Sequence, residues 1–177
     1  MPGAPRRDGS GRLDPELLRL VLITDGHGEL ARLERIVAAA VAGGVRCVQL
    51  REPRWTARAQ LQACERLRPL LDAASGILLV NDRVDIAATG VAHGVQVGGR
   101  SIPAELVRSV LGDDPVVVYS AHDATELDLA AATRCDAATL SPVWPTGSKP
   151  GAPNLGVAAA AGATARARLP AVWLGGV

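Results

Sequence analysis

Seven short apolar runs separated by helical patterns limit what this chain can fold into more than any other feature. The runs are residues 20–24, 45–50, 76–80, 94–97, 116–119, 137–140 and 171–174. Between the first two, residues 30–42 carry Leu33, Ile36, Val37, Ala40 and Val41 at spacings of three and four, which is one face of a helix. Residues 57–71 repeat that spacing through Leu61, Cys64, Leu67 and Leu71. Shorter helical patterns are expected at 84–89, 103–111, 126–133 and 157–168, with Pro103 suited to a first helical turn. The strand-like runs are continuously apolar rather than alternating. That is how strands read when helices cover both faces of a parallel sheet.

A repeat of roughly 20–30 residues matches the βα unit of a (β/α)8 TIM barrel. A doubly wound open sheet is the competing architecture, but no Gly-x-Gly-x-x-Gly follows the first strand, which argues against a dinucleotide site there. Because the sequence reaches Gly175-Gly176-Val177 directly after the seventh run, the expected fold is an α/β TIM barrel truncated after strand seven. Its two open edges would call for a covering partner, and a homodimer is one such arrangement. Residues 1–18 are expected to form a disordered tail, and residues 19–177 a single domain.

Composition narrows the function. The apolar share is 48% with no Phe, so the core must be built from Val, Leu, Ile and Ala. A formal net charge of +1 points to neither nucleic acid nor a membrane surface. No apolar run approaches the roughly 18–20 residues of a membrane span. Cys47, Cys64 and Cys135 are odd in number and lack metal-ligand spacing, so they read as reduced core thiols of a cytoplasmic protein.

In parallel α/β folds the chemistry gathers where strands end. Those positions carry Thr24-Asp25, Gln49-Leu50-Arg51-Glu52, Asn81-Asp82, Gly98-Gly99-Arg100-Ser101, Ser120-Ala121-His122 and Gly175-Gly176. After the sixth run comes Thr-Leu-Ser-Pro-Val-Trp-Pro-Thr-Gly-Ser-Lys-Pro-Gly (139–151). Its Ser141, Thr146, Ser148 and Lys149 offer the hydroxyls and the cation that a bound phosphate needs. Plainer readings stand beside these: a rim ion pair for Arg51 and Glu52, and a turn with a helix cap for Asn81-Asp82. His27 and His93 read as surface histidines. His122 directly follows the fifth run, and an imidazole there can move a proton near neutral pH.

Taken together, six stretches resemble the superfamily of thiamine phosphate synthase and thiazole tautomerase (TenI-like). They are Leu-Ile-Thr-Asp (22–25), Val-Gln-Leu-Arg-Glu (48–52), Val-Asn-Asp-Arg-Val-Asp-Ile-Ala (80–87), Ser-Ala-His (120–122), residues 141–151 and Leu-Gly-Gly-Val (174–177). The resemblance implies an enzyme of one of two kinds. The synthase joins a hydroxymethylpyrimidine diphosphate to a thiazole phosphate and holds Mg²⁺ with two aspartates. The tautomerase shifts a proton in a carboxythiazole phosphate, with the histidine after strand five as acid and base, and needs no cofactor.

This sequence departs from the synthase pattern twice. Pro53 stands where that branch has a diphosphate-binding Lys, and no carboxylate occupies the stretch around Ser101 where its second aspartate would align. The tautomerase is therefore the first expectation, with His122 catalytic and no metal site. Gln49, Arg51, Asn81, Asp82, Ser141, Thr146, Ser148, Lys149, Gly175 and Gly176 would bind the phosphorylated thiazole. The synthase, with Mg²⁺ on Asp82, is the alternative. A non-catalytic phosphate-binding relative is the third reading.

Overall fold

The computed structural model describes Pro5 and residues 7–9, 11–147 and 153–176. The strands are β1 (Val21–Ile23), β2 (Cys47–Leu50), β3 (Ile77–Asn81), β4 (Gly94–Gly98), β5 (Val116–Ala121), β6 (Ala137–Leu140) and β7 (Ala171–Trp173). The helices are α1 (Leu30–Ala42), α2 (Ala57–Ala73), α3 (Val84–Ala88), α4 (Ala104–Leu111), α5 (Ala124–Ala132) and α6 (Gly156–Arg166). Strand order in the sheet follows chain order. This is the repeating βα architecture of a TIM-barrel-type α/β fold, with seven strands among the described residues. Every expected strand and helix is present within a few residues of its predicted bounds. The chain divides into two compact units, Met1–Gln96 with Ser109–Val116, and Val97–Arg108 with Val117–Val177, described in turn.

In the first unit β1, β2 and β3 pair in parallel, and β3 continues the ladder to β4 with Asn81 opposite Gln96. All four residues of β2 are buried, as are Ile77 to Val80 of β3. Helix α2 begins at Thr56, whose hydroxyl accepts the Ala59 N–H at 3.2 Å, and it buries Ala63, Cys64, Leu67 and Leu71. Cys47 and Cys64 are free and buried, and burial pushes both thiols up to about 12. The amino-terminal stretch differs from the expected tail. Leu13, Leu17 and Leu18 are buried, around a short 3₁₀ helix at Pro15–Leu18. Three leucines at that spacing bury enough apolar surface to order a segment whose flanks are polar.

His93 corrects a second expectation. It is buried, 5% exposed, rather than on the surface. Its Nδ1 accepts the Leu78 N–H at 3.0 Å, and Nε2 lies 2.8 Å from the Asp72 carboxylate. Burial holds its pKa below the ordinary histidine value, the nearby Arg68 guanidinium acts in the same sense, and Asp72 opposes both. A histidine with a lowered folded-state pKa contributes stability that is complete above the unfolded value of ~6.5 and is lost as pH falls below it. The melting temperature should therefore drop between pH 7 and 5. His93→Asn, whose Oδ1 can still accept from Leu78, should flatten that part of the profile. An unchanged profile in the variant would assign the pH dependence to other groups.

In the second unit β5 pairs with β6, and β6 with β7, all parallel, with Thr139 opposite Val172. Arg108 and Asp136, each with a 9% exposed side chain, form an ion pair at 2.6 Å. The same Asp136 oxygen accepts the Val117 N–H at 2.8 Å, so the buried carboxylate is hydrogen-bonded as well as paired. Cys135 is also free and buried, and its thiol is pushed up mainly by burial.

Candidate functional site

The strand ends of the first unit bring three expected residues together. Gln49 Nε2 donates to Asn81 Oδ1 at 2.7 Å, and Asn81 Nδ2 donates to Asp82 Oδ2 at 2.7 Å. The chain has a definite polarity, because a carboxylate only accepts. Asn81 must therefore turn its amide N–H₂ to Asp82, which turns its oxygen to Gln49. Asp82 sits at φ 60°, a left-handed conformation that non-glycine residues adopt only at a cost. Asp82 N–H bonds Gln96 O at 2.8 Å, and Val84 N–H bonds Asp82 O at 3.1 Å, which holds this turn at the end of β3.

Arg51 and Glu52 do not form a rim ion pair. Arg51 is exposed, whereas Glu52 is 2% exposed and turns back into the fold. Its Oε2 accepts the Gly28 N–H at 3.2 Å. Around that contact the loop after β1 is tied to the loop after β2. Arg51 N–H bonds Thr24 Oγ1 at 2.8 Å, Arg54 bonds Gly26 O at 2.8 Å, and Trp55 Nε1 bonds Gly28 O at 3.1 Å. Asp25 pairs with Arg32, and that hydrogen bond is the main reason its carboxyl is lowered to about 2. His27 is exposed, as the sequence suggested.

In the second unit the turn after β4 closes on itself. Ser101 N–H bonds Gly98 O at 2.8 Å, and Gly98 N–H bonds Ser101 Oγ at 2.8 Å. Ser101 thus has a turn-closing role where a carboxylate would stand in the synthase pattern. After β5, His122 meets a residue that the sequence reading passed over. Glu126 Oε2 accepts the His122 main-chain N–H at 2.7 Å and lies 3.0 Å from His122 Nδ1. The signal was present as Asp123-x-x-Glu126, a helix-capping pattern beginning one residue after the histidine.

The loop after β6 leaves Ser141 and Thr146 half-buried, while Ser148 and Lys149 lie outside the described residues. Ser141 N–H bonds Ala121 O at 3.0 Å, and Val143 N–H bonds Leu174 O at 2.9 Å. Gly175 and Gly176 pack directly on this loop. Their φ values are 104° and 69°, and a Cβ on Gly176 would come within 2.4 Å of Pro145 O. Trp144 and Trp173 meet edge to face, with centroids 6.1 Å apart. The two glycines are therefore required by backbone conformation and by close approach, whatever else they bind.

Among the described residues no group of three or more His, Cys, Asp or Glu could hold a metal ion. None of the described helices is long and apolar enough to cross a membrane.

Parallel strands in chain order, with amide, carboxylate, imidazole and diglycine groups at their ends, define a TIM-barrel-type α/β protein. The chain belongs to the thiamine monophosphate synthase family, whose model matches residues 20–177. A putative thiamine-phosphate synthase of Geobacter sulfurreducens is 41% identical over 161 residues, covering 89% of this chain and 75% of that relative. A thiamine-phosphate synthase of Laribacter hongkongensis is 38% identical over 166 residues, 93% of this chain and 74% of that one. Among solved structures, thiamine phosphate pyrophosphorylase from Pyrococcus furiosus superposes with a TM-score of 0.81 at 25% identity, covering 92% of this chain and 77% of that chain. These relatives place the chain among the enzymes of thiamine biosynthesis. They carry the synthase name, so they favour the transferase that the sequence ranked second over the tautomerase it ranked first.

Proposed function

We propose that this protein is a thiamine-phosphate synthase, joining a hydroxymethylpyrimidine diphosphate to a thiazole phosphate. The observation that carries this is identity of 41% and 38% to relatives with that name, across about three quarters of their lengths. In the reaction the bond from the pyrimidine methylene carbon to the diphosphate oxygen breaks, and its electron pair leaves with pyrophosphate. The thiazole nitrogen lone pair forms the new carbon–nitrogen bond.

Asp82 is the one carboxylate in the Gln49–Asn81–Asp82 chain, which suits Mg²⁺ arriving on the diphosphate. Such ions commonly take one or two protein carboxylates and complete their shell with phosphate oxygens and water. Bound there, the ion would neutralise charge on the leaving pyrophosphate. Arg51, exposed and anchored through its main chain to Thr24, is the cation offered to an anionic substrate group. Gln49 and Asn81 orient the substrate. Ser141, Thr146, Ser148, Lys149 and the Gly175-Gly176 backbone would bind the thiazole phosphate. Pyrophosphate release from the two substrates, dependent on Mg²⁺, tests this reading, and its absence with a folded protein would reject it.

A second reading, the thiazole tautomerase, is favoured by a specific observation, the contact of His122 with Glu126, together with a turn-closing Ser101 where the synthase has an acid. His122 would take a proton from a ring carbon of a carboxythiazole phosphate, and the exocyclic carbon would receive one as the double bond moves into the ring. On this reading the purified protein aromatises that substrate without Mg²⁺, and His122→Ala loses at least ~10² in rate. Full activity in the alanine variant would remove His122 from the mechanism.

A further inference from the structure

We infer that Glu126 is a positioning residue that keeps a proton on His122 Nδ1, so that the neutral imidazole carries its lone pair on Nε2. Glu126 Oε2 accepts the His122 main-chain N–H at 2.7 Å, a contact in which only the nitrogen can donate. A carboxylate oxygen has no proton to give, so Nδ1 at 3.0 Å from the same atom is the nitrogen that donates. Two bonds to one oxygen fix both the backbone and the ring of His122. Glu126 is itself fixed, because its N–H donates to Asp123 Oδ1 at 2.8 Å at the start of α5. A helix cap thus also sets an imidazole tautomer, as the third member of a catalytic triad does for its histidine.

The consequence for chemistry deepens the proton-transfer reading and rests on it. When a substrate C–H bond breaks and its proton moves to Nε2, the imidazolium that forms already faces a carboxylate. Returning that proton to the exocyclic carbon restores the neutral ring. No redox step or cofactor enters. The tautomer itself is a property of the free protein and stands whether or not His122 proves catalytic.

Nitrogen-15 spectroscopy of the imidazoles reads it directly. The chain has three histidines, and the His122 signals are those missing from His122→Ala. The expected result at neutral pH is a protonated Nδ1 and an unprotonated Nε2 for His122. Glu126→Gln, which keeps an acceptor oxygen, should retain that pattern, whereas Glu126→Ala should move the proton to Nε2.

Deuterium exchange into a carboxythiazole phosphate should fall roughly 10- to 100-fold in Glu126→Ala, with Glu126→Gln partly restoring it. Persistence of the Nδ1-protonated pattern in Glu126→Ala overturns the inference. So does its loss in Glu126→Gln, a result that can be read even if the alanine variant does not fold. The expected tautomer pattern with no exchange in the wild type would reject the proton-transfer reading and leave the inference standing.

Discussion

Asp82→Asn is expected to lower Mg²⁺-dependent pyrophosphate release by about 10²-fold or more. Its thermal stability should hardly change. Asparagine can still accept the Asn81 hydrogen bond, so the Gln49–Asn81 chain keeps its polarity while the negative charge disappears. Asp82→Gly separates charge from backbone. Relief of the left-handed conformation at φ 60° is worth about 1–2 kcal/mol. Against it stand the lost hydrogen bond to a carboxylate, about 1.5–3 kcal/mol, and the added freedom of an unfolded glycine, about 0.4–1 kcal/mol. The balance is a modest loss, so this variant should still fold, melt somewhat below the wild type and lose the same activity. A pyrophosphate-release assay beside a thermal melt checks both. Retained release in the two variants would take Asp82 out of the synthase mechanism.

Gly94→Ala is expected to destabilise the protein by more than about 3 kcal/mol, at or beyond the upper end of ordinary overpacking. A Cβ at this position would lie 1.9 Å from Val116 O, 2.6 Å from Val116 C and 2.8 Å from Val116 Cα. All three are backbone atoms, so no rotamer change can make room. The relief open to the chain is to push Val116 away, which breaks its N–H bond to His93 O at 2.9 Å. Gly162→Ala is the control. It lies within α6, where a Cβ meets only the flexible end of Arg166 at 3.6 Å. The same substitution there should stabilise by about 0.5–1 kcal/mol through helix propensity. Denaturant melts of the two variants should move in opposite directions. A Gly94→Ala midpoint equal to the wild type would show that β4 and Val116 are looser than their contact implies.

The βα framework was legible because its signals are local and repeated. Ile77 to Val80 form a buried strand because an unbroken apolar run suits a sheet covered on both faces. Leu33 and Val37 are buried on α1 because they share a face at a spacing of four. The loop after β6 was also readable over residues 141–147, since prolines, glycines and hydroxyls are loop signals in themselves. The positions misread are those whose environment comes from elsewhere in the chain. His93 looked like a loop histidine because its partner Asp72 is 21 residues away. For Glu52 an ion pair with its neighbour was the plainer of the readings open, yet its hydrogen bond goes to Gly28, 24 residues earlier. Leu13 and Leu17 were masked by a polar composition that says nothing about where single leucines land.

The sequence by itself determined the order and type of the βα elements, the strand-end positions and the family, though not the short 3₁₀ helix at Pro15–Leu18, because hydrophobic periodicity and contiguous motifs carry the former and not the latter. Tertiary structure alone decided which polar groups at those ends meet. It brought Gln49 onto Asn81 and turned Glu52 inward to Gly28, whereas the contact of Glu126 with His122, four residues apart, was already signalled by the Asp123-x-x-Glu126 capping pattern. The physical reason is range. A hydrophobic pattern acts along the chain, whereas a hydrogen bond requires an approach to about 3 Å between side chains, which only the packed fold can set.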